Sequence, residues 1–347
     1  MSEPGVRPAL FELTLSRFRE FAREPEAIFW VFAFPVLMTL ALGIAFRAQA
    51  PKPVPVGVAA GEGADTMMQA LGADPGLAPR RLADGEVDIA LRNGTVHVVV
   101  RPGTPPTFSF DPTRPESRVA RMMADSALQR AAGRRDLWQA REEEVVAPGS
   151  RYIDWLVPGL LGMNIMGTGL WGIGFGVVNA RVRKLLKRLI ATPMRRADYL
   201  LSHVLSRLVF LCLEVVVIVG FARLAFGIPL NGSLASLAGL CLLGALSFGG
   251  LGLLLASRAK TLEAVSGLMN LAMLPMWVLS GVFFSSENFP AAVQPFIGAL
   301  PLTALNQALR ANMIDGASLA AIAPQVAILI AWGGICFAIA LRVFRWR

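Results

Sequence analysis

The sequence predicts an α-helical polytopic membrane protein: six transmembrane helices, with a small extracytoplasmic α/β domain between helices 1 and 2. Three observations predict it. First, of 347 residues 54% are hydrophobic and 16% charged, whereas a soluble domain of this size carries about a quarter charged residues. The apolar residues come in blocks: 27–46, 155–180, 233–257, 264–286 and 316–341 contain no Asp, Glu, Lys or Arg. Each matches the roughly 20 helical residues that cross a bilayer core, and a sixth block, 199–226, is interrupted by Arg207, Glu214 and Arg223. Buried helices of a large soluble protein rarely give such runs. Second, the net charge of +9 sits in short segments beside these blocks. Residues 1–26 hold four basic residues, 179–198 seven, 257–263 two and 342–347 three, whereas 227–233 hold none and 285–318 only Arg310. Rich and poor loops alternate, as the positive-inside rule requires, which puts both termini in the cytoplasm. Third, residues 47–152 carry 14 basic and 13 acidic residues and read as a folded segment; long loops translocate largely regardless of charge.

Along the chain, residues 1–26 contain an amphipathic stretch (6–24) with Leu10, Phe11, Leu13, Leu15, Phe18 and Phe21 set among Arg and Glu. It reads as a cytoplasmic helix lying on the membrane. Residues 27–46 form helix 1. "AQA" at 48–50 resembles a signal-peptide cleavage site, but 20 apolar residues make a long signal core, so the helix is expected to stay uncleaved. In the domain 47–152, "PVPVGVAA" (53–60) reads as a strand and 62–72 as a helix. "VDIALRNGTVHVVV" (87–100) reads as a hairpin turned by Asn93-Gly94, with Leu91, Val96, Ile89, Val98, Val87 and Val100 on one face. "TFSFD" (107–111) reads as a further strand and 114–144 as a long helix with Pro115 in its first turn. The domain shows no cluster of catalytic residues, and His97 falls on the face opposite the apolar one.

Residues 153–347 hold helices 2–6. Between helices 2 and 3, "KLLKRLIATPMRRADYLL" (184–201) follows Arg181 and Arg183. On a helical wheel over 181–191, Val182, Leu185, Leu186, Leu189 and Ile190 share one face, and Arg181, Arg183, Lys184, Lys187 and Arg188 the other. Thr192-Pro193 ends the helix, because the residue before proline avoids the α region, and Arg195 and Arg196 follow. Such a basic face gains about 1 kcal/mol per residue from anionic lipid. A nucleic-acid role is excluded by the lack of a separate basic domain and of interleaved aromatic residues. The segment 287–312 is too apolar for an ordinary loop, and Pro290, Pro295 and Pro301 divide it into pieces too short to span. It reads as half-helices that enter the outer leaflet and return, or as an amphipathic loop on the surface.

"KRLIATPMRRADYLLSHVL" (187–205) resembles the loop between helices 2 and 3 of ATP-binding-cassette exporter permeases of the ABC-2 type, where a short cytoplasmic helix ends in a Leu-x-x-Thr-Pro-like sequence followed by a basic pair. "LSGVFFSSENFPAAVQPFIGALPLTALNQALR" (279–310) is similar to their fifth helix and outer re-entrant segment, with "LPLTAL" where they carry Asn-Pro-Leu-Thr-Tyr. The family more often has Gly-Thr-Leu-Glu where this chain has Lys184-Leu185-Leu186-Lys187, which reverses the local charge. The resemblance covers the whole chain in architecture and about fifty residues in motif. It implies a permease subunit of an ATP-driven exporter in the bacterial inner membrane, paired with a second copy of itself or a related permease above two cytoplasmic ATPase subunits. ATP and magnesium would bind the partner chain and no cofactor this one. The ATPase contact would be made by Arg181, Arg183, Lys184, Lys187, Arg188, Leu189, Thr192, Pro193, Arg195 and Arg196, and an outer gate by Pro290, Pro301, Thr303 and Arg310. Helices 2 and 5 would line the path.

Within the spans, Asn164 and Asn270 are polar groups that suit either a path or an interhelical bond. Gly172 and Gly176 suggest close packing at their four-residue spacing. Glu214 shares a face of helix 3 with His203 and Arg207. A carboxylate in mid-membrane is costly, so it faces protein, in a structural or a transport role. The sequence has no Gly-Lys pair and hence no phosphate-binding P-loop. "GTGLWG" (167–172) fits a dinucleotide pattern but lies in an uncharged span with no preceding strand. Cys212, Cys241 and Cys336 lie inside predicted helices without metal-ligand spacing. Two other functions stay open on residues alone. One is a proton-coupled transporter using Glu214, which needs no ATPase. The other is a membrane-anchored sensor or assembly protein that acts through its outer domain.

Overall fold

A computed structural model describes residues 9–46, 52–135, 138, 141, 143, 149–182 and 196–343. The chain divides into two units, Met1–Arg47 with Val146–Arg347, and Ala48–Val145. In the first, α1 (Ala9–Ala22) is followed at once by α2 (Pro25–Ala45). Phe29–Ala33 within α2 is a π-helical turn, just before Pro35. A proline inside a helix leaves the carbonyl four residues earlier without its N–H, and a π-turn is one way the backbone adjusts.

The Ala48–Val145 unit runs β1 (Val54–Ala59), α3 (Ala64–Gly72), β2 (Leu77–Leu82), α4 (Val87–Arg92), β3 (Val98–Arg101), β4 (Thr107–Phe110) and α5 (Pro115–Ala131). The sheet order is β2-β1-β3-β4, with β1 parallel to β2 and β3, and β4 antiparallel to β3. Parallel neighbours need crossover connections, here α3 and α4. The two-residue period of the strands divides the core. Val56, Val58, Val98 and Val100 pack with Leu71 of α3 and with Ala120, Ala124 and Ala127 of α5. Ala59, Leu82 and Val99 pack with Val87 and Ala90 of α4.

This differs from the expected hairpin over 87–100. Residues 87–92 are helical: Val87 and Ala90, three apart, are buried, while Ile89, which the hairpin register turns inward, is 57% exposed. Gly94 does adopt positive φ, at +69°, but as the residue that ends α4. Its N–H donates to Leu91 O at 3.3 Å, and the Thr95 N–H donates to Ala90 O at 3.0 Å. That pair of bonds closes a helix C-terminus, so one Asn-Gly signal serves either turn. The strand β2 was not expected, since "LAPRRL" carries Pro79 and two arginines. It is an edge strand, where proline and charge are tolerated. The expected helix 114–144 ends as α5 at Ala131, beside Gly133 at φ +96°.

The remaining helices of the first unit are α6 (Tyr152–Val182), α7 (Arg196–Phe226), α8 (Leu234–Arg258), α9 (Leu262–Leu279), α10 (Gln294–Ala299), α11 (Pro301–Met313) and α12 (Ala323–Val343). Among the described residues six helices are long and apolar enough to cross a membrane: α2, α6, α7 from Leu205 onward, α8, α9 and α12. Their burial ranks them. The most apolar windows of α6 and α8 are 56% and 61% buried, whereas those of α2 and α12 are 17% buried. The core is therefore the α6–α8 pair, and the other spans turn broad apolar faces outward. Phe248 and Leu160, both fully buried, belong to this core. α6 and α8 approach closely at Gly174, where an added Cβ would stand 2.7 Å from Gly252 O. That helix-helix closeness is the usual service of small residues in membrane helices. Gly174 itself lies in a second π-helical segment, Leu170–Phe175 of α6.

α11 packs against α6, α8 and α12. Pro301 occupies its first turn, where the missing N–H costs nothing. Leu302, Ala304, Leu305, Ala308 and Leu309 are all fully buried. The apolar segment 287–312 thus yields two short helices, α10 and α11, and the second forms part of the core.

Candidate functional site

α6 and α7 bring a group of polar side chains together inside the apolar bundle, and α2 adds a backbone carbonyl. Glu214 of α7 is fully buried and Asn164 of α6 is 8% exposed. Arg207, two turns before Glu214 on the same face, donates from Nη1 to Glu214 Oε1 at 2.9 Å. The other carboxylate oxygen takes Asn164 Nδ2 at 3.4 Å and lies 3.2 Å from Thr168 Oγ1. Arg207 Nη2 also donates to Thr168 Oγ1, and the Thr168 hydroxyl lies 2.8 Å from Asn164 O. Asn164 Nδ2 further reaches Val31 O at 3.3 Å, the carbonyl that Pro35 cannot serve. Both oxygens of Glu214 are therefore satisfied within the protein. In the bilayer core, where no water replaces a lost partner, such a group is stable only when so completed.

The sequence singles out Asn164 and Glu214, and the structure places them in contact. Thr168 went unnoticed, because a lone threonine in an apolar run carries no signal until its neighbours are known. Asn270 is exposed on α9, on the face that also exposes Leu271 and Leu274. Within the chain an added Cβ at Gly172 or Gly176 would meet nothing within 4 Å. Close helix packing falls instead to Gly174 and its neighbour Gly169, where an added Cβ would stand 2.8 Å from Phe248 Cβ.

At the end of the bundle where α6 stops, Arg181 Nη1 donates to Ala256 O at 3.3 Å and Ala259 O at 3.1 Å. It thereby serves carbonyls at the C-terminus of α8, where a cation also suits the helix dipole. Arg196 begins α7. Arg183, Lys184, Lys187, Arg188, Leu189, Thr192, Pro193 and Arg195 lie outside the described residues.

At the opposite end of α6, Arg310 of α11 is 8% exposed. It donates from Nε to Trp155 O at 3.2 Å and from Nη2 to Gly281 O, and its guanidinium carbon lies 3.4 Å from the centre of the Trp155 ring. Thr303, two turns earlier, is 2% exposed, Pro301 is buried and Pro290 is exposed. So Thr303 and Arg310 share one buried region, and Pro290 stands apart from it. Among the described residues no cluster of His, Cys, Asp and Glu could hold a metal ion.

Comparison with known proteins agrees with this architecture. The family described as ABC-2 type transporter matches residues 122–314, more than half of the chain. ABC transporter G family member 20 of Dictyostelium discoideum is 26% identical over 198 residues, 56% of this chain and 27% of that protein. The inner membrane transport permease YhhJ of Escherichia coli K12 is 25% identical over 173 residues, 50% of this chain and 46% of that one. The chain thus spans between about a quarter and about half of the length of these relatives. The spans α6 to α9 and the short buried helix α11 fall where that family match lies, and the chain belongs to the ABC-2 type transporter family.

Proposed function

We propose that the protein is the membrane-spanning permease subunit of an ATP-driven exporter. It forms the translocation path and takes its energy from an ATPase carried by another chain. The observation that carries this reading is the family match over 122–314 in a sequence without a phosphate-binding loop. On this reading the chain supplies the path, and the nucleotide chemistry is assigned to a partner. The basic segment 181–196 is the docking element for that ATPase, and Arg181 ties its start to the end of α8. The exposed face of α9, with Asn270 among leucines, suits pairing with a second permease, because an asparagine facing lipid gains a partner there. In this arrangement both termini are cytoplasmic, the Ala48–Val145 unit is extracytoplasmic, and the protein is a multi-pass component of the bacterial inner membrane.

A proton-coupled mechanism through Glu214 is less well supported. Its two oxygens are held by Arg207, Asn164 and Thr168, so the geometry favours a structural lock between α6 and α7. The test is purification in mild detergent with the associated proteins identified and assayed. A co-purifying cassette ATPase is expected, and transport by the permease with no ATPase in the preparation would overturn the reading.

A further inference from the structure

At the end of the bundle where α6 begins, a cleft of about 220 Å³ opens between α6, α11 and the chain that follows α9. Its lining divides by exposure. Arg310, Ser280 and Thr303 are 8%, 1% and 2% exposed and form the floor with Trp155, while Glu287 and Asp315 are exposed at the rim. Among the described residues Arg310 belongs to no ion pair, and its hydrogen bonds come from Nε and Nη2. Three polar atoms of residues that line the cleft are also buried without a partner among the described residues: Trp155 Nε1, Ser280 Oγ and Thr303 Oγ1. Buried polar groups are nearly always hydrogen-bonded, so three orphans around one buried cation need an explanation. All of them are donors, or can donate, which is the chemistry of an oxyanion site.

The two carboxylates at the mouth would repel a simple anion and attract an ammonium group. We propose that this cleft binds a zwitterionic head group, with its oxyanion on Arg310, Trp155, Ser280 and Thr303, and its ammonium between Glu287 and Asp315. The shared chemistry is a phosphate joined to an amine by a short linker. It is found both in a soluble phosphoethanolamine ester and in a membrane lipid. The site does not depend on any ATPase, because its groups all belong to this chain.

A purely structural role for Arg310, bridging two carbonyls and stacking on Trp155, makes a different prediction. Among the described residues Thr303 Oγ1 has no partner, so Thr303→Val removes nothing that the structural role uses. Substituting Arg310 itself would also release the carbonyls of Trp155 and Gly281, so Thr303→Val carries the test. The measurement is thermal unfolding of the full chain in detergent, titrated with sn-glycero-3-phosphoethanolamine or sn-glycerol 3-phosphate. In parallel it is titrated with phosphatidylethanolamine or phosphatidylglycerol in mixed micelles. The proposal expects a saturable rise in Tm with one zwitterionic probe, greater than with its anionic counterpart. It expects the apparent affinity to fall about tenfold in Thr303→Val, as for loss of one hydrogen bond to a charged group. In Glu287→Gln with Asp315→Asn the preference for the zwitterion disappears. A response to the soluble ester marks a water-borne ligand, and a response to the lipid alone marks a membrane component; either supports the site. No saturable response, equal responses of parent and Thr303→Val, or equal binding of the anionic counterpart would overturn it.

Discussion

Arg207 Nη1 and Glu214 Oε1 lie 2.9 Å apart on one face of α7, with Glu214 fully buried. Removing one member of such a pair leaves an uncompensated charge, at a cost of about 3–5 kcal/mol, while replacing both by apolar residues is often neutral. Arg207→Ala is therefore expected to lower the thermal stability of the purified protein sharply, and Arg207→Met combined with Glu214→Leu to recover most of it. Unfolding followed by fluorescence in detergent checks this. A double variant as unstable as the single one would contradict the ion-pair account.

The α6–α8 contact separates two glycines that look alike in sequence. At Gly174 a Cβ meets the Gly252 carbonyl, whereas at Gly172 it meets nothing within 4 Å. Gly174→Ala should destabilise by about 1–3 kcal/mol through overpacking, and Gly172→Ala should leave unfolding unchanged. Equal effects in the same unfolding assay would refute the placement of the contact.

Much of this is legible in the sequence itself. Six spans follow from uncharged runs and basic loops, because the bilayer imposes length and charge rules directly on sequence. Glu214 stood out as a carboxylate in an apolar helix. The rest depended on tertiary partners. Thr168 and Ser280 gain meaning only from what lies across the helix contact, and Trp155 only from Arg310 above its ring. Gly172 and Gly176 have the right spacing, but the helix turns Gly169 and Gly174 toward α8 instead. The hairpin reading failed because Asn93-Gly94 and the short apolar pattern before it fit a helix end equally well. Val87 is inward in either period, whereas Ile89 and Ala90 exchange faces between them and so distinguish the two.

That distinction can be tested. Ile89 is 57% exposed and Ala90 7%, so Ile89→Lys should be tolerated and Ala90→Lys should unfold the α/β unit. The hairpin register, which turns Ile89 inward, requires the reverse. Limited proteolysis of the full-length protein, reading cleavage between residues 52 and 135, separates the two.

The orientation is tested with inserted protease sites. In sealed right-side-out vesicles a site placed at Gly103 is expected to be cleaved, and sites at either terminus to be protected. Protection at Gly103 with cleavage at the termini would reverse the orientation.

The central claim is coupling to an ATPase through the segment 181–196, and charge reversal tests it most directly. Lys187→Glu with Arg188→Glu changes that surface by four charge units in total without touching the described core. Like charges forced together at an interface cost several kcal/mol. The measurement is ATP hydrolysis by the complex co-purified in nanodiscs, with parent and variant compared side by side and permease content equalised. The account predicts that the parent carries an active ATPase, and that the variant, inserted in equal amount, has lost the ATPase or its activity. An unchanged rate and an unchanged complex in the variant would contradict it.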